Sequence, residues 1–138
     1  MTIVIVLLLL VLIIWASFSM FTRDSSSTDL GYLIEASEKL EIDGLPDFDL
    51  VESNQSKTVF VEGQVPIIHL CVRKPNGKPF DINTVMVALI HELTHLVHPD
   101  PGHGDRFNQI ENSLLDKAER LGLISGADDI DPEYPCIT

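Results

Sequence analysis

The residues best suited to chemistry in this chain are His91, Glu92 and His95, in the run His91-Glu92-Leu93-Thr94-His95. Four residues advance a helix by about 400°, so histidines at that spacing sit one turn apart on one face. Their imidazole nitrogens then reach one ion at about 2.0–2.1 Å, which is the chemistry of a zinc site. Glu92 follows the first ligand. That position suits a carboxylate that takes a proton from metal-bound water rather than one that ligates the metal. Zn2+ is therefore the expected cofactor, with His91 and His95 as ligands and Glu92 as the catalytic base.

A third ligand has to come from downstream. His98 lies three residues after His95, so on a continued helix its side chain sits about one turn further along, past the metal. His103 follows Pro99-Asp100-Pro101-Gly102, a segment able to reverse the chain and bring an imidazole to the open tetrahedral position. His103 is the favoured ligand. His98 is its competitor, and Asp105 is a weaker oxygen-ligand candidate.

These residues need elements to hold them. Asp81 or Asn83 caps a helix in which Val85, Leu89, Leu93 and Leu96 recur at helical spacing, and Pro99 and Pro101 stop it near Val97. Apolar neighbours such as Ala88 and Ile90 bury it on most sides, and buried His and Glu need partners. A last amphipathic helix over 106–121 aligns Phe107, Ile110, Leu114, Ala118 and Leu121. Upstream, 58–62 and 67–73 read as strands joined by a turn at 63–66. On the second strand Ile68, Leu70 and Val72 share one face. His69 and Cys71 share the other, read as an edge histidine and a buried thiol rather than a second metal pair. Residues 30–40 suit a short helix, 42–56 an irregular stretch with room for one short strand, and 74–80 a loop. The expected fold class is α+β: a short sheet packed on the His91–His95 helix and a C-terminal helix.

The N-terminus has a different character. Ile3 to Phe21 carries no charge over 19 residues, and about 20 apolar residues span a bilayer core of roughly 30 Å. One transmembrane helix over 1–22 is expected, with the bilayer as partner of residues 3–21. A signal peptide is the competing reading, but no basic residue precedes the apolar run. A buried core helix fits poorly, because the run is apolar on every face. Residues 23–29 read as a polar linker and 30–138 as the domain. Arg23 leans the domain toward the cytosol as a single-pass membrane protein.

The net charge of −12 falls wholly after this segment. Such a domain repels phosphate backbones, so no direct nucleic-acid binding is expected. Cys71 and Cys136 allow one disulfide at most. Cys136, third from the end, does not fit a prenylation signal. Asp128, Asp129, Asp131 and Glu133 read as a solvated tail, or alternatively as a tail folded back near the site.

Taken together, His91-Glu92-Leu93-Thr94-His95 followed by Gly102-His103-Gly104-Asp105-Arg106-Phe107 resembles the SprT-like and WLM group of zinc metallopeptidases. In that group the first motif is followed by a third histidine in an H-x-x-x-F context that opens the next helix, as His103 and Phe107 do here. The segment Ala118-Glu119-Arg120-Leu121-Gly122-Leu123 is also similar, and the resemblance covers about residues 58–124. It implies a zincin-like fold, zinc held by His91, His95 and His103, and Glu92 as catalytic base. The gap from His95 to His103 is longer than in compact WLM members and shorter than in many SprT members. The basic or zinc-ribbon parts with which better-known members bind DNA are missing, so the chemistry carries over and a DNA-repair role does not.

The expected function is that of a membrane-anchored zinc metalloendopeptidase acting on protein or peptide substrates. An extended peptide would pair with the strand 67–73 by β-augmentation. The principal rival is a non-catalytic, membrane-anchored zinc-binding interaction domain, for which a fourth protein ligand such as His98 would speak. A metal-free scaffold is the second rival.

Overall fold

The computed structural model describes residues 1, 3–7, 11 and 25–135. Their architecture is α+β, with three long helices and one three-stranded sheet. In chain order these are α1 (Ser25–Lys39), β1 (Asp49–Glu52), β2 (Lys57–Val59), β3 (Ile67–Leu70), α2 (Ile82–Val97) and α3 (Asp105–Arg120).

Two expectations for the N-terminus need correcting. Among the described residues no helix is long and apolar enough to cross a membrane. This overturns both the fold as a domain preceded by a transmembrane helix and the single-pass membrane localisation with a cytosolic domain. A span requires roughly 30 Å of apolar helix, whereas the longest described helices, of 16 residues, rise about 24 Å at 1.5 Å per residue. The rest of the expected span, 2, 8–10 and 12–22, lies outside the described residues, as does Cys136 with its disulfide and prenylation readings. The expected linker also starts a helix: α1 begins at Ser25, five residues ahead of the amphipathic pattern that starts at Leu30.

α2 is the central element. Every residue from Asn83 to Thr94 is buried, with Met86, Leu89, Ile90 and Leu93 wholly so. A helix apolar on nearly all sides has to be covered all round. α1 covers it with Leu33 and Ala36, the turn after α1 with Leu40, the sheet with Ile68 and Leu70, and α3 with Leu114 and Ala118. Asp81 caps α2: its Oδ1 accepts from the Thr84 amide at 2.9 Å, and its Oδ2 accepts from the Thr84 hydroxyl at 2.8 Å.

The sheet order is β1-β3-β2, with β1 parallel and β2 antiparallel to β3. Ile68 and Leu70 are buried while Ile67 and His69 are half-buried, the alternation of a strand with one face on the core. β3 is the central strand, with neighbours on both sides. It therefore has no free edge for an incoming peptide, and the expected pairing with 67–73 is corrected. The edges of this sheet are β1 and β2.

The acidic tail is not simply solvated. The Asn83 amide donates to the carbonyls of Gly126 and Asp129, and the Asp131 amide donates to the Thr84 hydroxyl. The Tyr134 hydroxyl donates to the Cys71 carbonyl at 2.7 Å, and Lys74 pairs with Asp131 and Glu133. The tail folds back on the first turn of α2, two turns before His91 rather than beside the histidines.

The ends of α1 and α3 differ in one informative way. α3 closes with the Leu123 amide on the Ala118 carbonyl and the Gly122 amide on the Glu119 carbonyl, with Gly122 left-handed at φ 72°. This is the glycine-terminated reversal. At the equivalent position after α1 stands Glu41, at φ 47°. A side chain there costs roughly 1–2 kcal/mol, partly offset by the freedom a glycine loses on folding. Glu41→Gly is expected to stabilise the protein by about 0.5–1 kcal/mol. Denaturant unfolding checks this, and an unchanged or lowered midpoint would refute it.

Candidate metal centre

α2 presents His91 and His95 one turn apart, and the chain reversal after it brings in His103. One ligand nitrogen from each of the three lies within 4.8 Å of the others. His91 is buried, His95 half-buried and His103 exposed, so the cluster opens toward solvent on one side. His95 Nε2 and His103 Nε2 are 3.3 Å apart. Two nitrogens bound at about 2.0–2.1 Å to one tetrahedral ion lie roughly 3.3–3.4 Å apart, so this pair already has that spacing. The three histidines are close enough to bind a metal ion.

The fit can be tested on what is left unsatisfied. Among the described residues, two buried side-chain polar atoms lack a hydrogen-bond partner: His91 Nε2 and Glu92 Oε1. Leaving such a group unpaired costs about 1–3 kcal/mol, and here both fall on consecutive residues of one motif. His91 Nδ1 is occupied, 2.7 Å from Glu111 Oε1. A carboxylate accepts only, so Nδ1 carries the proton and Nε2 presents its lone pair. A bound cation would satisfy that lone pair. The donor set suits a metal.

Glu92 is wholly buried. Its Oε2 accepts from the Thr58 hydroxyl of β2 at 2.8 Å, which leaves Oε1 unpaired. Burial pushes its carboxyl up from 4.5 to about 7; the bonds from Thr58 and the nearby His91 pull it back down, and Glu111 pushes it slightly up. Phe107 forms the wall behind the imidazoles. It is fully buried, and its ring centroid lies 5.1, 4.7 and 4.7 Å from those of His91, His95 and His103.

The structure separates the other candidates from this cluster. His98 caps the end of α2, its Nε2 3.8 Å from Asp100 Oδ2. Asp105 opens α3 and stands outside the histidine cluster. His69 and Cys71 lie on β3 and just after it, apart from the cluster. The Cys71 thiol is buried, and that burial raises its pKa.

Two partners were missed from sequence. Glu111 had a signal: it follows Phe107 by four residues, an acid among the apolar positions of the α3 face. Thr58 had none, because only the packing of β2 against α2 places it. Glu111→Gln, which keeps shape but removes the charge that holds the His91 tautomer, is expected to weaken metal binding 10- to 100-fold. Competition with a chromogenic chelator measures this, and unchanged affinity would remove Glu111 from the site.

No protein-family model matches the chain, and no solved structure matches it. Among curated proteins the chain is similar to "Uncharacterized protein 042R" of Invertebrate iridescent virus 3, with 41% identity over 89 residues. That match covers 64% of this chain and 50% of the relative. "Uncharacterized protein 136R" of Invertebrate iridescent virus 6 is 36% identical over 59 residues, which is 41% of this chain and 33% of the relative. The chain thus spans half the length or less of these curated relatives, and what it shares with them is a stretch of sequence carried by viruses of invertebrates.

Proposed function

We propose that this chain is a zinc-dependent endopeptidase of the SprT-like and WLM kind, with His91, His95 and His103 holding the ion and Glu92 as general base. One observation carries the reading: the two unpaired buried polar atoms belong to His91 and Glu92, one a ligand lone pair and the other a free carboxylate oxygen. When bound, zinc supplies a Lewis acid for a carbonyl and acidifies water toward a pKa of about 7.

The protein's own residues do the rest. Glu92 takes a proton at Oε1, since Thr58 holds Oε2, and can return it to the leaving amine. Glu111 fixes the His91 ring with Nε2 forward. Phe107 keeps water from the back of the cluster. β2, an edge strand tied to Glu92 through Thr58, offers backbone groups to an extended peptide, and the exposed Phe60 and Val61 beyond it offer apolar contacts. Among the described residues three ligands come together, which would leave a fourth position open, as catalytic sites do and closed structural sites do not.

The test is to load the full chain with zinc and incubate it with an unfolded protein substrate, reading new N-termini by mass spectrometry. Cleavage that a chelator stops and zinc restores is expected. One zinc per chain with no cleavage would leave a non-catalytic zinc-binding domain.

A further inference from the structure

A groove of about 440 Å³ lies between the turn after α1, the end of α2 and one side of α3. Its apolar lining comes from Leu40, Ile42, Val97, Ile110 and Leu114. Along α3 its rim carries Arg106, Lys117 and Arg120, while Glu41 and Asp43 stand on the opposite wall. The chain holds nine basic residues, of which Arg23 lies outside the described part. Lys39, Arg73 and Lys74 form ion pairs with carboxylates. Of the five cations with no ion-pair partner among the described residues, three line this groove. In a chain with a net charge of −12, this lining has more bases than acids, three against Glu41 and Asp43, the reverse of the chain as a whole.

The chemistry narrows the occupant. Three cations with no ion-pair partner among the described residues call for carboxylates or phosphates. The apolar floor calls for hydrocarbon, which a nucleic-acid backbone does not present. A peptide segment carrying both acids and apolar side chains satisfies the two together. From Arg106 to Arg120 the helix rises about 21 Å, which matches about six extended residues. Arg106, at one end of this lining, follows the cluster histidine His103 by three residues in sequence.

We propose that this groove binds an acidic, apolar segment of the protein substrate, remote from the bond that is cut. That the segment belongs to a substrate rests on the peptidase reading; the binding itself does not. The experiment uses the full zinc-loaded chain and a fluorescent decapeptide alternating Glu with Leu or Phe, followed by anisotropy. Its controls are the same peptide with Lys for Glu and a single-stranded oligonucleotide. The acidic peptide is expected to bind more weakly as salt rises, to lose at least ten-fold in affinity in K117E/R120E, and to gain in Asp43→Lys. In the same double variant a protein substrate carrying the segment should show a raised KM at unchanged kcat, while a short peptide lacking it is cleaved as before. Unchanged zinc content and circular dichroism verify that the variants are folded. Equal affinity before and after charge reversal, or tighter binding of the oligonucleotide, overturns the groove even where hydrolysis is intact. Charge-dependent binding with no hydrolysis of any substrate instead overturns the peptidase reading and, with it, the assignment of the segment to a substrate.

Discussion

Glu92→Gln is expected to keep its metal and lose its hydrolysis. Glutamine preserves the shape and can still accept from the Thr58 hydroxyl, so the packing of β2 on α2 survives. What it lacks is a basic oxygen at the position of Oε1. Loss of a positioned general base lowers turnover by roughly 10²–10⁴-fold, while the histidine cluster keeps its three nitrogens. Steady-state cleavage beside zinc stoichiometry checks this. Undiminished cleavage in the variant would remove Glu92 from the mechanism.

The same substitution has a second readout in chelated protein. Burial raises the Glu92 carboxyl from 4.5 to about 7 in the folded chain. Between these values the folded state holds a proton that the unfolded state has released, so stability falls as pH rises through the window and stays low above 7. The penalty is about 3 kcal/mol at pH 8, at 1.36 kcal/mol per pH unit. Glutamine does not titrate. Metal-free Glu92→Gln is therefore expected to be more stable than the parent at pH 8 and no more stable at pH 4, measured by urea unfolding at both. An equal difference at the two pH values would refute the buried-carboxylate account.

Removing the metal is the other large effect. A ligand present at about 1,000 times its dissociation constant contributes about 4 kcal/mol to folding stability, or roughly 15–30 °C in Tm for a domain of about 100 residues. Chelation is expected to lower Tm by that order, and His103→Ala to abolish most of the metal-dependent difference. His98→Ala should retain it, because His98 lies at the helix end beside Asp100 and outside the cluster. Calorimetry with and without chelator, beside metal content per chain, reads both. Loss of the ion in His98→Ala with retention in His103→Ala would reverse the ligand assignment.

Much of the site is legible in the sequence because helical spacing is a local property. The run from His91 to His95 has only to be helical for two imidazoles to share a face, and the apolar repeat through Leu89, Leu93 and Leu96 with the Asp81 cap requires that helix. Pro99, Pro101 and Gly102 end it and turn the chain, so the approach of His103 follows from local backbone chemistry too. The long apolar run at the N-terminus is also a local pattern, and there it misleads. Apolarity sets which surface avoids water, but whether a continuous spanning helix forms depends on the length of helix the chain holds, and no described helix is long enough.

The rest depends on contacts between residues distant in sequence. Strand pairing by pattern alone made β3 a peptide edge, whereas β1 and β2 take its two sides and leave the edge beside Glu92 to β2. Thr58 reaches Glu92 across 34 residues and Glu111 reaches His91 across 20, and neither separation has a period that a sequence displays. The acidic tail turned inward because Asn83 and Thr84 at the start of α2 supply the partners its backbone needs. The sequence by itself determines which residues can bear the chemistry. The tertiary structure decides which of their atoms are paired and which are left open, because burial removes the water that would otherwise satisfy every one of them.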